Sequence, residues 1–155
     1  MHKLKYRRDL GLGEALARPL AEYVHSQLDW EIEMLIPIQL SPQRLAERGY
    51  NQVALIARPL AMLANWRYSA KAVQRVKHTR SQVGLSRSER QENVREAFVA
   101  DPSLVRGRKI LLMDDVATTG ATLASASRSV FEAGAAQVYA LTAARAIPRY
   151  DLDRF

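Results

Sequence analysis

Residues 110–122 constrain the fold of this 155-residue chain more than any other segment. They read Ile-Leu-Leu-Met-Asp-Asp-Val-Ala-Thr-Thr-Gly-Ala-Thr, which is four apolar residues, two carboxylates and then a run of small residues with hydroxyl groups. A short apolar run of this kind is typical of a buried strand in a parallel sheet. Residues 121–133 have the pattern of a helix, and a glycine, which is typical of a helix end, follows them directly. The segment therefore predicts a strand–loop–helix unit with its polar residues at the carboxyl end of the strand.

The loop of this unit has the composition of an anion site. Because it has few bulky side chains, its backbone N–H groups and those of the first helical turn can surround a phosphate, and the hydroxyl groups add donors. The carboxylates of Asp114 and Asp115 would repel a phosphate but can accept hydrogen bonds from sugar hydroxyls. The pattern thus predicts a ribose 5-phosphate site, whereas the alternative is a strand end with an N-capping acid and an ordinary turn. The predicted phosphate ligands are Thr118, Thr119, Gly120, Ala121 and Thr122.

The residue types exclude several other classes of site. The chain has no cysteine, which excludes disulfides, thiolate metal sites and a cysteine nucleophile. The three histidines, His2, His25 and His78, have no spacing that suggests zinc. Neither a Walker A pattern nor G-x-G-x-x-G is present, so classical nucleotide hydrolysis and dinucleotide binding are disfavoured.

Hydrophobic periodicity predicts alternating helices and strands along the chain. Strands that alternate with helices indicate an α/β fold with a mostly parallel central sheet flanked by helices, and the length suits a single domain over residues 1–155. Ligands bind such sheets at the carboxyl ends of the strands. We predict helices at 9–28, at 51–65 with Asn51 as the N-cap, at 88–98 and at 121–133; strands at 34–38, 72–76, 109–113 and 137–143; and loops at 39–50 and 78–86.

The net charge of +7 is distributed unevenly. Residues 67–95, here called the basic segment, contain eight basic and two acidic residues, a net charge of +6. Such a segment attracts a polyanion, either a small phosphorylated substrate or a nucleic acid, although a solvated basic surface has the same composition. No apolar run is long enough to cross a bilayer and no signal peptide opens the chain, so we expect a cytoplasmic protein without membrane insertion.

Residues 110–122 resemble the motif with which type I phosphoribosyltransferases bind phosphoribosyl pyrophosphate (PRPP). The rest of the chain, from Lys3 to about Ala144, resembles the ComF family (competence protein F), which includes proteins linked to DNA uptake during natural transformation. Many ComF proteins carry an N-terminal four-cysteine zinc ribbon that this chain lacks, so we expect either a member without the ribbon or a truncated form. The resemblance rests on Ile36-Pro37-Ile38, on residues 44–52 and on Arg75, Lys77, Thr79, Gln82, Leu85, Arg90, Asn93, Ala97 and Phe98.

This resemblance implies the type I phosphoribosyltransferase fold, with PRPP as the ligand and Mg²⁺ bound through PRPP, without a direct protein ligand. It also implies that Asp114 and Asp115 hold the ribose hydroxyls as the residues closest to the chemistry. Basic residues in two loops are candidates for the pyrophosphate half and for a loop that closes over it. These candidates, each of which has a solvated loop residue as its alternative, are Arg44, Arg48, Lys77 and Arg80.

Three functions are compatible with these residues. The first is a ComF-type, PRPP-binding protein that acts in DNA uptake or processing, with an unknown acceptor if it is an enzyme. The second is a salvage phosphoribosyltransferase that joins a nucleobase to PRPP, for which only the short termini remain to build a base-recognition subdomain. The third is a non-catalytic module that binds single-stranded DNA or a protein of the competence machinery through the basic segment.

Overall fold

The computed structural model describes residues 10–76 and 97–145. In chain order the elements of these residues are α1 (Leu10–Gln27), β1 (Met34–Pro37), α2 (Pro42–Arg48), α3 (Gln52–Leu63), β2 (Arg67–Tyr68), β3 (Val73–Arg75), β4 (Phe98–Ala100), α4 (Pro102–Val105), β5 (Lys109–Ala117), α5 (Ala121–Glu132) and β6 (Gln137–Arg145). Four parallel strands form a sheet in the order β2–β1–β5–β6, and β3 pairs with β4 in a separate antiparallel pair. No helix in this part of the chain is both long enough and apolar enough to span a membrane.

The sheet is buried on both faces, so the molecule has two hydrophobic cores. Successive side chains of a strand point to opposite faces. On β5, Leu111 and Met113 pack with α1 and α3, whereas Ile110 and Leu112 pack with α5 and the β3–β4 pair. A strand that is covered on both faces is apolar at every position, which explains the continuous apolar run of β5.

The strands β1 and β5 end at different levels, and this difference creates the space for a site. The pairing of β1 with β5 runs from Met34↔Ile110 to Pro37↔Met113, and β1 ends there. The pairing of β5 with β6 continues to Ala117↔Arg145. The last residues of β5 therefore project beyond β1, at the position where the strand order reverses and where open α/β sheets bind ligands.

The predicted α/β fold with a parallel sheet is confirmed, and three of the predicted segments are corrected. The segment 39–50, predicted to be a loop, contains the helix α2. The Ser41 side chain caps this helix by accepting from the Arg44 N–H at 3.3 Å, a proline follows the cap, and Gly49 ends the helix at a φ of 72°. Ser before Pro is a helix start signal that the polar composition of the segment obscured.

The strand predicted at 109–113 continues to Ala117, because β6 goes on pairing with it beyond the apolar run. Phe98, predicted to end a helix, begins the strand β4, where it pairs with Arg75. The rest of that predicted helix, 88–96, and the predicted loop at 78–86 lie outside the described residues. The short elements β2, β4 and α4 were not predicted.

Candidate functional site

Asp114 and Asp115 are neighbours in sequence but lie on opposite faces of β5. Asp115 is on the α3 side, where only 7% of its surface is exposed. Asp114 is half-buried on the other side, within electrostatic range of Arg75 on β3. The backbone N–H of Asp115 donates to the Asp114 Oδ1 at 2.8 Å, which ties the two residues together locally. The pair therefore presents one carboxylate to each of two different environments.

The Asp115 carboxylate is held by two donors in the structure. Its Oδ1 accepts from the Val116 N–H at 2.9 Å, and its Oδ2 accepts from the Nε2 of Gln52 at 3.2 Å. Gln52 is the first residue of α3, and only 3% of its surface is exposed. Its Oε1 in turn accepts from the Nη1 of Arg48, the last residue of α2, at 2.9 Å. A buried polar chain thus runs from α2 through α3 to the end of β5.

Arg75 brings positive charge to the Asp114 side. Its guanidinium lies 5.4 Å from the centre of the Phe98 ring, within the range of a cation–π contact. Partial burial lowers the pKa of Arg75 from its ordinary value, and the like charge of Arg44 lowers it further, while Asp114 acts in the opposite direction. Arg75 is therefore within electrostatic range both of the Asp114 carboxylate and of a second arginine from another element.

The loop after β5 opens directly onto a helix N-terminus. Thr118 and Thr119 are exposed, and the Oγ1 of Thr119 accepts from the Ala121 N–H at 3.4 Å. Gly120 is the N-cap of α5 and has a φ of 75°, a conformation that favours glycine. Because glycine has no side chain, the N-cap residue itself makes no side-chain cap hydrogen bond to the first turn of α5. The N–H groups and positive dipole end of this turn are what an anion requires.

Residues 11–155 match the family described as "Phosphoribosyl transferase domain". The chain belongs to this family. The strand–loop–helix unit predicted from residues 110–122 is therefore part of a phosphoribosyl transferase domain.

The curated relatives include proteins of DNA utilization and competence. The chain is 33% identical over 142 residues to "DNA utilization protein YhgH" of Escherichia coli O6:H1, a match that covers 89% of this chain and 62% of the relative. It is 35% identical over 116 residues to "Competence protein F" of Haemophilus influenzae, covering 74% of this chain and 51% of the relative. The resemblance to the ComF family is confirmed, and the chain spans about three fifths of the first relatives' length, or 62%.

Solved structures support the fold. The glutamine PRPP amidotransferase of B. subtilis gives a TM-score of 0.57 at 19% identity, covering 84% of this chain and 26% of that chain. The adenine phosphoribosyltransferase of Thermoanaerobacter pseudethanolicus gives 0.55 at 10% identity, covering 90% and 83%. The predicted type I phosphoribosyltransferase fold is confirmed.

In this phosphoribosyl transferase domain, the structure brings most of the predicted site residues to one edge of the sheet. Asp114, Asp115 and the loop 118–122 lie at the carboxyl end of β5, and α2 follows the carboxyl end of β1. Arg44 and Arg48, predicted as equivalent, differ in setting. Arg44 is exposed and close enough to lower the pKa of Arg75, whereas Arg48 is half-buried and donates a hydrogen bond to Gln52. Lys77 and Arg80 lie outside the described residues.

Sequence reasoning assigned no role to Gln52 and no ligand role to Arg75. Gln52 is 63 residues from Asp115 in the chain, so no local pattern indicates their contact. Arg75 reaches the site only because β3 lies beside the carboxyl end of β5, with Asp114 in electrostatic range. Their membership of the site is a finding of the tertiary structure.

A second concave surface of the domain lies at the other end of the sheet. It has a volume of about 500 Å³ and is lined by residues of α5 and of the start of β6, including Arg128, Phe131 and Tyr139. This end carries the amino ends of the strands, because Gln137 of β6 pairs with Lys109, the first residue of β5. Open α/β sheets bind ligands at the carboxyl ends, so the candidate site is at the end of β5.

Proposed function

We propose that the chain binds PRPP together with Mg²⁺ at the carboxyl end of β5 and acts as a ComF-type phosphoribosyltransferase-like protein in DNA uptake, with the cytoplasm as its expected location. One observation carries the ligand assignment. Two carboxylates adjoin, through a loop of small hydroxyl residues, a helix whose N-cap residue is a glycine without a side-chain cap. The names of the competence relatives support the biological context.

The loop and the first turn of α5 hold the 5-phosphate of the ligand. The residues that supply N–H and hydroxyl donors are Thr118, Thr119, Gly120, Ala121 and Thr122. Asp114 and Asp115 accept hydrogen bonds from the ribose hydroxyls, since ionised carboxylates are strong acceptors. Anchoring both the phosphate and the diol fixes the orientation of the anomeric carbon.

The pyrophosphate half lies on the side of the positive charge. Arg44 is exposed and within electrostatic range of Arg75, so two guanidinium groups contribute positive charge that attracts phosphate oxygens. Arg48, bonded to Gln52, supports this side from within the fold. Lys77 and Arg80, outside the described residues, remain predicted ligands of the departing pyrophosphate.

The residues of the site fit a Mg²⁺ ion that is carried largely by the ligand. The described part of the chain contains no group of three His, Cys, Asp or Glu residues able to hold a metal. Mg²⁺ is commonly bound by one or two carboxylates together with substrate phosphates and water, and Asp114 offers one such carboxylate beside the arginines. When bound, the ion offsets the negative charge of the pyrophosphate.

The fold supports displacement at the anomeric carbon as the reaction, if an acceptor is used. The acceptor's electron pair forms the new bond, and the bond from the anomeric carbon to the pyrophosphate oxygen breaks with its electrons leaving on pyrophosphate. Such glycosyl transfers pass through oxocarbenium-like transition states. The part of Asp114 and Asp115 in this step is to orient the ribose, and that of the arginines is to stabilise the leaving group.

Calorimetry with PRPP and Mg²⁺ tests the ligand assignment. We expect micromolar binding by the native chain and a loss of about 100-fold or more in Asp114→Asn/Asp115→Asn, because each lost hydrogen bond to a charged group contributes about 1.5–3 kcal/mol. Glu132→Gln, which removes a carboxylate at the far end of α5, is the control and should bind as the native chain does. Absence of binding by the native chain, or equal binding by the double variant, would contradict the proposal.

A further inference from the structure

Gln52 bridges two charged residues of the candidate site within the fold. It accepts from the Arg48 Nη1 at 2.9 Å and donates to the Asp115 Oδ2 at 3.2 Å, and only 3% of its surface is exposed. Arg48 ends α2 and Asp115 is near the end of β5, so the two contacts join the segment after β1 to the carboxyl end of β5. These are the two sides of the cleft at the switch in strand order.

An amide is the chemical group that this position requires. A guanidinium only donates hydrogen bonds and an ionised carboxylate only accepts them, whereas an amide does both. Arg48 therefore fixes the Gln52 oxygen on its own side, and this orientation turns the NH₂ group toward Asp115. A glutamate at this position has no proton to donate to Asp115 when ionised, and a methionine of similar length offers neither contact.

The other oxygen of Asp115 is also engaged, by the Val116 N–H at 2.9 Å. With both oxygens held and only 7% of the residue exposed, the carboxylate has a defined orientation before any ligand arrives. Asp114, which is half-buried on the opposite face, does not share this bridge to α3. The two adjacent carboxylates therefore differ in their contact with α3, because the hydrogen bond from Gln52 goes to Asp115.

We propose that Gln52 is a positioning residue for ribose binding, which holds the Asp115 carboxylate in its binding orientation and couples it to Arg48. This inference rests on the proposed PRPP site. Groups that orient a binding residue are commonly as important as the contact itself, because a small misplacement weakens every interaction at the site.

The first test is the PRPP affinity of Gln52→Met, measured by calorimetry with Mg²⁺. This variant keeps the length of the side chain and removes both hydrogen bonds, and we expect a loss of about 10-fold. Gln43→Met is the matched control, because Gln43 also donates to a carboxylate, that of Glu47 at 3.1 Å, but does so on the exposed surface of α2. The control should bind PRPP as the native chain does.

The second test exchanges the two functional groups in Gln52→Glu/Asp115→Asn. Gln52→Glu alone places two carboxylates together and should lower the midpoint of thermal unfolding by about 3–6 °C. In the exchanged variant, the asparagine amide can donate to the carboxylate introduced at position 52, so the midpoint should return toward the native value. The PRPP affinity should stay at the level of Asp115→Asn, because the carboxylate is no longer at position 115. A midpoint that does not recover in the exchanged variant would show that the side chains at positions 52 and 115 do not share this hydrogen bond, and would overturn the inference.

The outcomes separate this inference from the proposed function. Native binding that Asp115→Asn weakens but Gln52→Met leaves unchanged removes the inference and keeps the PRPP site. Native affinity in the exchanged variant would show that the Asp115 carboxylate does not hold the ribose, which removes the proposed role of Asp115 together with the inference. A native chain that does not bind PRPP removes the proposed function and the inference together.

Discussion

At Gly13 the two helices that cover one face of the sheet, α1 and α3, come into backbone contact. A Cβ atom at this position would lie 2.4 Å from the carbonyl oxygen of Leu55 and 3.2 Å from its Cβ. Backbone cannot move aside as the end of a flexible side chain can, so a larger residue would push the helices apart. A helix interior otherwise disfavours glycine by about 1 kcal/mol, and the close approach gives a physical reason for it here.

We predict that Gly13→Ala lowers the free energy of unfolding by about 1–2 kcal/mol, because overpacking outweighs the gain in helix propensity. Gly11→Ala is the matched control, since Gly11 lies in the same helix two residues away and is exposed. It should leave stability unchanged or raise it by up to about 1 kcal/mol. Urea unfolding followed by circular dichroism measures both, and equal stabilisation by the two variants would refute the close contact.

At the level of the secondary-structure elements, the junction between β1 and α3 depends on Asn51. Its Oδ1 accepts from the Val53 N–H at 3.1 Å and caps α3, while its Nδ2 donates to the Ile38 carbonyl at 2.9 Å. One side chain therefore starts the helix and ties it to the residue that follows β1. Since Gln52 is the next residue, this junction also sets the position of the bridge to Asp115.

We predict that Asn51→Ala lowers the free energy of unfolding by about 1–3 kcal/mol, because it removes a helix cap and leaves the Ile38 carbonyl without this donor. Asn51→Asp keeps the capping acceptor but loses the donor, so it should fall between Asn51→Ala and the native chain. Ser41→Ala, which removes an exposed cap with one hydrogen bond of 3.3 Å, should be milder than Asn51→Ala. Thermal unfolding orders these variants, and a Ser41→Ala effect as large as that of Asn51→Ala would count against the second role of Asn51.

On the scale of the whole molecule, the two cores share one central strand. Leu111 and Leu112 are both fully buried, but they belong to the opposite faces of β5. Trp30 and Trp66 both pack against the core formed with α1 and α3. Loss of packing on either side of β5 should therefore destabilise the same strand and lower the stability of the whole sheet.

We predict that Leu111→Ala and Leu112→Ala each lower the free energy of unfolding by about 2–5 kcal/mol, the usual result of truncating a buried leucine. The fluorescence of Trp30 and Trp66 should report the same transition as circular dichroism in both variants, although Leu112 faces the other core. Val99→Ala, on an exposed side chain of β4, is the control with a small effect. If Leu112→Ala left the fluorescence transition at its native midpoint, the two sides of the sheet would unfold independently.

The features that the sequence predicted well are those specified by neighbouring residues. The apolar run of β5, the glycine before α5 and the Asn51 cap act over a few positions, so their elements follow from local chemistry. The same reasoning predicted the parallel sheet, since strands alternated with helices. The short helix α2 had a Ser-Pro start signal but was predicted as a loop from its polar composition.

Contacts between distant segments were decided only by the tertiary structure. The sequence by itself determined the strand–loop–helix unit, with its two carboxylates and the loop of small hydroxyl residues on which the proposed phosphate site depends, because these lie within 13 consecutive residues. The pairing register decided that β1 ends at Pro37↔Met113 and leaves the end of β5 accessible to α3. Strand alternation then placed Asp115 against Gln52 and Asp114 toward Arg75. The distinction between the two carboxylates arises from this packing, which brings together residues that no local pattern relates.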